Sequence, residues 1–479
     1  MELTYGVKDR PSIGKIIIFA FQQLLAILAA TIVVPAIING NTGQLLADGY
    51  TQSQLSPAAA LFGAGMGTIV YLLFTRFKSP VFLGSSFAFL GSMTSAFAGA
   101  VSMQLGYFGL ILGCVFAGLV YVVIALVVKF VGTAWIDKVM PAVVIGPTVA
   151  IIGLSLAGNA IGDLKGAGWL GILCGLVTLF TTIACSVFGK KIIKMIPFVI
   201  GIGAGYLLAT IFTLTGAAEL VAFDKFNQME WIPHFTFIEG FKFNMFDAGN
   251  FGNIGAYIAS IAIAYIPVAF VVFAEHLADH KNLSSIIGSD LTKDPGLSNT
   301  LLGDGVGSMV GSFFGGAANT TYGESIATVA ISGNASTITI LVTAIMAMVA
   351  SFIGPFATLL ATIPSCVMGG VCVALYGFIA VSGLKMIQKV DLGDNRNLFV
   401  VSTILIAGVG GFVLNIGKVT LTAVAVALIL GIVVNVVVRI GSKKNDAPNA
   451  SAGEAPEEAP AEEAEEETPE AEAEPTTEE

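Results

Sequence analysis

The sequence is poor in charge. Only 11% of its 479 residues are Asp, Glu, Lys or Arg, while 55% are hydrophobic, against roughly 25% charged residues in an ordinary soluble chain. So few polar groups cannot cover several globular domains in water, and a polytopic membrane protein is the reading that remains. Cysteine and histidine are equally sparse. Cys114, Cys174, Cys185, Cys366 and Cys372 all lie in apolar stretches without a CxxC pair, and three histidines supply no further ligand set. The cysteines therefore read as small core residues, and neither a disulfide framework nor a metal site is expected. No nucleophile–base pair stands out, which disfavours an intramembrane enzyme. The N-terminus, MELTYGVKDRPSIGK, lacks the pattern of a signal peptide.

Basic residues are absent after Lys444, whereas Asp446 and thirteen glutamates from Glu454 to Glu479 supply 14 of the 32 acids. The net charge of −10 is thus a property of residues 445–479, an Ala/Glu/Pro/Thr segment read as a disordered extension. The remainder has 22 bases against 18 acids, scattered over short loops, and gives no sign of nucleic-acid binding.

What is present is apolar runs. Windows of about 20 residues pick out fourteen candidate spans: 13–38, 56–75, 79–98, 105–130, 135–158, 167–187, 192–216, 252–278, 297–314, 319–334, 337–360, 363–384, 395–415 and 418–440. The third and the tenth are weak, rich in Gly, Ser and Thr. With the N-terminus inside, eighteen Lys and Arg fall in inner segments and four, Lys165, Lys225, Lys242 and Lys418, outside. That bias sets both termini in the cytoplasm. The long outer loop carries Phe223, Phe226, Trp231, Phe235 and Phe237, and reads as a segment lying at the membrane surface.

MPAVVIG (Met140–Gly146) opens the fifth span and IPSCVMG (Ile363–Gly369) the twelfth, corresponding members of two sevens, as are the two weak spans. Seven spans per half force the halves into opposite orientations. Inverted repeats with broken helices at matched positions mark secondary transporters whose site lies at the midplane. The expected fold is therefore all-α and polytopic.

Ionisable groups inside spans cost about 2.5–3.5 kcal/mol on insertion scales and persist with a partner or a role. Glu275, Asp279, Asp304 and Glu324 gather within fifty residues, with His276 and His280. A carboxyl group accepts hydrogen bonds when ionised and donates when protonated, so such a set can bind an amide-like ligand and carry a proton. His280 and Lys281 read instead as the polar cytoplasmic end of the eighth span. In the third span, Gly84, Ser85 and Ser86 let backbone approach a ligand, and Phe87 or Phe89 can stack on a flat ring.

AEHLADH, followed by DLTKDPGL, GDGVGSMVGSFFG and NTTYGES, resembles the nucleobase:cation symporter-2 family, also called the nucleobase–ascorbate transporters, and most closely its bacterial uracil permeases. GSSFAF near residue 86, AATIVVP at Ala29–Pro35 and MGG…LYG ending at Gly377 also match, and the similarity covers residues 8–440. The resemblance implies two inverted sevens with short strands in spans 3 and 10. It implies a core domain (1–132 and 251–361) moving against a gate domain (133–250 and 362–444), with 445–479 as a tail. It implies proton symport without a further cofactor, dimers through the gate, and residence in the lipid of the inner or plasma membrane. Glu275 and Glu324 would hydrogen-bond the nucleobase and backbone N–H groups of Phe87 and Gly323 its carbonyls, with Ala30, Tyr322 and Tyr376 shaping the pocket. Glu275, Asp304, Asp279 and His276 would carry the proton.

This chain departs from the family pattern. After Glu324 come Ser325, Ile326 and Ala327, then Ser332 and Gly333, so the signature's Asn, Gly and Thr are replaced. Asp279 and Asp304 resemble the purine branch, whereas Glu324 favours uracil over xanthine or urate. A xanthine or urate symporter is the nearest alternative, and an uncoupled nucleobase facilitator a more distant one.

Overall fold

The computed structural model describes residues 3–42, 55–100, 102–242, 254–416 and 419–439; the acidic tail lies outside the described residues. The first half runs α1 (Ile13–Thr42), α2 (Pro57–Phe74), β1 (Leu83–Ser85), α3 (Leu90–Ala98), α4 (Met103–Val131), α5 (Ala134–Val139), α6 (Ala142–Ser155), α7 (Ala157–Gly166), α8 (Gly168–Phe188), α9 (Lys191–Met195) and α10 (Pro197–Leu214). A connecting segment with a 3-10 turn at Phe223–Gln228 and α11 (Thr236–Phe241) follows. The second half runs α12 (Ile254–Ile287), α13 (Leu297–Gly315), β2 (Asn319–Thr321), α14 (Gly323–Ser332), α15 (Thr337–Ser351), α16 (Gly354–Ala361), α17 (Ser365–Ile387), α18 (Asn395–Val409), β3 (Leu414–Ile416), β4 (Val419–Leu421) and α19 (Ala423–Arg439).

Each of the fourteen sequence windows coincides with one helix or one broken helix. Eight described helices are long and apolar enough to cross a membrane alone, and α15 with α16, bent by 85°, makes a ninth. The shorter apolar α18 and α19, the glycine-rich α13 and the two strand–helix segments account for the rest. The chain is an integral, multi-pass membrane protein.

Three features differ from the sequence reading. The eighth span continues as one helix to Ile287, so Glu275 and Asp279 lie within it. The eleventh is broken at Phe352–Ile353, where extended Ile353 caps a new helix whose first turn holds Pro355, a residue that needs no N–H partner there. Phe235 and Phe237 are half-buried rather than fully exposed: Phe237 stacks on Phe313 with ring centres 4.7 Å apart, and Phe235 packs edge-on against Phe62 and Phe314. Trp231, 58% exposed, does face outward.

The packing repeats between halves. α2 packs on α13 and α6 on α17; α4 on α13 is matched by α15 on α2, α8 on α10 by α18 on α19, and α4 on α12 by α15 on α1. These contacts map onto one another when the halves are exchanged, as an inverted repeat requires. Pro141 and Pro364, matched in the sequence, occupy equivalent places as the extended N-caps of α6 and α17.

Glycine makes the closest crossings possible. A methyl group at Gly63 or Gly67 would strike the backbone of Gly311 or Gly307, and one at Gly307 the backbone of Gly67. Spaced four apart on each helix, these glycines let α2 and α13 approach backbone to backbone. Close packing supplies what a hydrophobic driving force cannot between helices in lipid.

Candidate functional site

The site begins at the two broken spans. Three residues of backbone outside a helix would leave N–H and C=O groups bare in the membrane interior, where each costs several kcal/mol. Here each strand satisfies the other: Leu83 pairs with Thr321, Gly84 with Thr320 and Ser85 with Asn319, antiparallel. The pairing is locked by side chains. Tyr322 Oη donates to Ser85 O at 3.0 Å, and its ring lies so close over Gly84 that a Cβ there would overlap it. Thr68 and Asn319 tie the strands to α2, through Thr68 Oγ1 to the Leu83 backbone and Asn319 Nδ2 to Gly63 O.

β2 runs directly into α14, with extended Tyr322 as N-cap and Glu324 in the first turn. Neither Gly323 N–H nor Phe87 N–H has a backbone acceptor among the described residues. The first N–H groups of a helix carry partial positive charge and point at whatever precedes it. Gly323 is exposed and Phe87 only 7% so. The Phe87 ring meets Tyr376 of α17 edge-on at 5.5 Å. Ala30, 1% exposed, lies on α1, which packs on β1, α3 and α14.

Four carboxylates converge on this point from three helices. Glu275 on α12 stands within electrostatic reach of Asp279, Asp304 and Glu324. Its side chain and that of Glu324 have no side-chain hydrogen-bond partner among the described residues. Asp279 Oδ2 accepts from Thr321 Oγ1 at 2.7 Å. Asp304 on α13, 1% exposed, meets His276 Nδ1 at 2.7 Å, and His276 Nε2 lies 3.0 Å from Thr300 Oγ1. None of the four carboxylates pairs with Lys or Arg among the described residues; the ion pairs of those bases are with Asp294, Glu239, Asp290 and Asp394.

The arrangement offers carboxylate acceptors, helix-terminal N–H donors and aromatic edges, the complement of a flat heterocycle bearing both N–H and C=O groups. It brings together the sequence-predicted Glu275, Asp279, Asp304, Glu324 and His276, and places Phe87 against Tyr376. One reading is corrected. His280 is not a solvated helix end: it is 1% exposed, its ring stacks on His276 with centres 3.9 Å apart, and Nε2 meets Tyr71 Oη at 2.7 Å. α12 continues for two further turns with one face against the protein, burying His280 and Leu283 while Lys281 and Asn282 stay exposed.

Tyr71, Thr300 and Thr321 were not singled out by sequence. A tyrosine near the end of an apolar span looks like a member of the interfacial aromatic belt. Only the fold reveals that Tyr71 turns inward.

The chain is similar to known proteins over most of its length. The model of the "Permease family" matches residues 14–417. The uracil permease of Bacillus caldolyticus is 35% identical over 440 residues, 90% of this chain and 94% of that one. Those of Bacillus subtilis (strain 168) and Escherichia coli (strain K12) are 36% and 32% identical, each over 91% of this chain and 95% and 94% of theirs. Among solved structures, the transmembrane domain of the cyanobacterial bicarbonate transporter BicA superposes with a TM-score of 0.53 at 17% identity, covering 87% of this chain and 96% of that one. The murine Slc26a9 anion transporter in its inward-facing state gives 0.61 at 12%, covering 90% and 69%. These two share the fold alone, while the named relatives are permeases rather than enzymes. The chain belongs to the nucleobase:cation symporter-2 family of permeases.

Proposed function

We propose that the protein imports uracil across the cytoplasmic membrane by proton symport. The carrying observation is the pair of carboxylates without a side-chain partner among the described residues, Glu275 and Glu324, set beside the N-terminus of α14 in a chain whose relatives are named uracil permeases. Glu275 and Glu324 accept the ring N–H groups, the N–H groups of Gly323 and Phe87 donate to the carbonyl oxygens, and Ala30, Tyr322 and Tyr376 bound the pocket. The proton is held within Glu275, Asp279, Asp304 and His276. Carboxylates crowded in a low dielectric repel when all are charged, so proton uptake and ligand binding favour each other.

Movement follows from how the helices associate. α1 to α4 pack mainly with α12 to α15, and α5 to α10 with α17 to α19. This supports a core that carries the site past a gate, with Phe87 of the core meeting Tyr376 of the gate edge-on beside the site. Both termini lie in the cytoplasm, and the gate mediates a dimer.

The deciding experiment is uptake of radiolabelled uracil by proteoliposomes under an imposed pH gradient, with xanthine, urate and thymine as competitors. Accumulation above equilibrium, abolished by a protonophore and unaffected by xanthine, is the expected outcome. Competition by xanthine or urate would transfer the assignment to the purine branch, as Asp279 and Asp304 would favour. Equilibration without accumulation would leave a facilitator.

A further inference from the structure

His280, Tyr71 and Ser79 form a buried line that the transport scheme leaves unused. His280 Nδ1 lies 2.8 Å from His276 O. A carbonyl only accepts, so Nδ1 carries a hydrogen in either charge state of the ring. Nε2 is 2.7 Å from Tyr71 Oη, which is 2.7 Å from Ser79 Oγ. With Nδ1 fixed, two proton arrangements satisfy the line. In the neutral one Ser79 donates to Tyr71 and Tyr71 to His280. In the cationic one His280 donates to Tyr71, Tyr71 to Ser79, and the Ser79 hydrogen turns away.

The two interconvert when one proton enters at Ser79 Oγ and each hydroxyl hydrogen moves one bond along. One proton enters, one positive charge appears on His280, and the reverse sequence releases it. Ser79 follows Arg76 and Lys78, and Lys78 binds Asp294 at 2.5 Å. Ser79 is itself buried, and the line ends next to the basic Arg76–Lys78 turn, its Arg76 exposed, at the inner end of α2.

The groups facing His280 decide what its charge does. His276 stacks on it from the preceding turn of α12, which also carries Asp279. α13 presents Asp304 and Thr300 to His276, α2 supplies Tyr71, and Tyr121 of α4 meets His276 edge-on at 6.1 Å. No Lys or Arg is among them. Two imidazolium rings 3.9 Å apart repel strongly away from water, and a charged His280 neutralises part of the carboxylate field that otherwise favours the carried proton.

We propose that His280 is a second protonation site, filled from the inner side through Ser79 and Tyr71, whose occupancy competes with the proton held by His276 and Asp304. Acid on the inner side then hinders reloading of the inward-facing carrier and biases transport toward import. This rests on the proton-coupled reading of the site.

The test is exchange of external radiolabelled uracil for internal unlabelled uracil in right-side-out membrane vesicles, at fixed external pH. Internal pH is varied from about 8 to about 6, the range in which histidine ordinarily titrates. Wild-type exchange falls several-fold on internal acidification, whereas His280→Gln and Tyr71→Phe exchange at a rate that does not fall. Tyr71→Phe keeps the packed ring and decides the matter if His280→Gln yields no monodisperse protein. A wild type indifferent to internal pH, variants that retain its full decline, or variants slowed equally at every internal pH would each overturn the proposal while leaving uracil transport in place. A wild type without any uracil exchange would remove the functional reading, and this inference with it.

Discussion

Thr321 Oγ1 donates a 2.7 Å hydrogen bond to Asp279 Oδ2, joining the strand of one broken span to the helix that carries Glu275. The bond sets the distance between the two halves of the carboxylate cluster, because Glu275 lies one turn before Asp279 and Glu324 three residues after Thr321. Thr321→Val leaves a buried carboxylate without its donor, a loss of about 1–3 kcal/mol. A lower thermal midpoint in detergent and weaker uracil binding are expected, with Thr321→Ser retaining both. A valine variant as stable and as tight-binding as wild type would show that the bond does not organise the site.

Glu324 opens α14 and offers an acceptor to a ligand N–H. Glu324→Gln presents an amide where the carboxylate stood, so uracil uptake is expected to fall by at least about tenfold, the effect of roughly 1.4 kcal/mol. A gain in xanthine inhibition would accompany it. Unchanged uracil uptake would take Glu324 out of the pocket.

Glu275→Gln removes the carboxylate on which the other three bear. The variant is expected to equilibrate uracil but not to concentrate it under a proton gradient. Concentration to the wild-type level would end the coupling role assigned to Glu275.

Gly84→Ala inserts a methyl group into the space of the Tyr322 ring. Overpacking of this kind costs about 1–3 kcal/mol, and the strand pairing beneath the ligand shifts with it. Loss of uracil binding together with a lower thermal midpoint is expected; a second change, Tyr322→Leu, should recover stability without recovering binding. Full activity in Gly84→Ala alone would mean that Tyr322 does not hold the strand.

The sequence exposes the fold well because a membrane leaves few choices. Apolar length marks the spans, and the Gly/Ser/Thr content of the third and tenth marks where helices break. Carboxylates in such segments stand out by their cost alone, which is why Glu275, Asp279, Asp304 and Glu324 were visible. Partners were not visible. Thr321, Thr300 and Tyr71 are ordinary residues for a span, and their hydrogen bonds to Asp279, His276 and His280 depend on contacts between elements far apart in the chain. His280 was misread because the eighth apolar run ends near Glu275 while the helix does not. The bend after Ser351 is legible afterwards in Gly354–Pro355, but the surrounding hydropathy conceals it.

The pairing of β1 with β2 also constrains how the chain is made. Leu83–Ser85 reaches the translocation machinery long before Asn319–Thr321 exists, so its main-chain groups wait without their native partners. Ribosomes add about 5–20 residues per second, so the wait from Ser85 to Asn319 lasts roughly ten to fifty seconds. During that interval the third span is an unfinished segment that water, a chaperone or the insertase must shelter. Neither half of the protein can complete its own interior, and biogenesis becomes a single event that closes late, when the tenth span arrives.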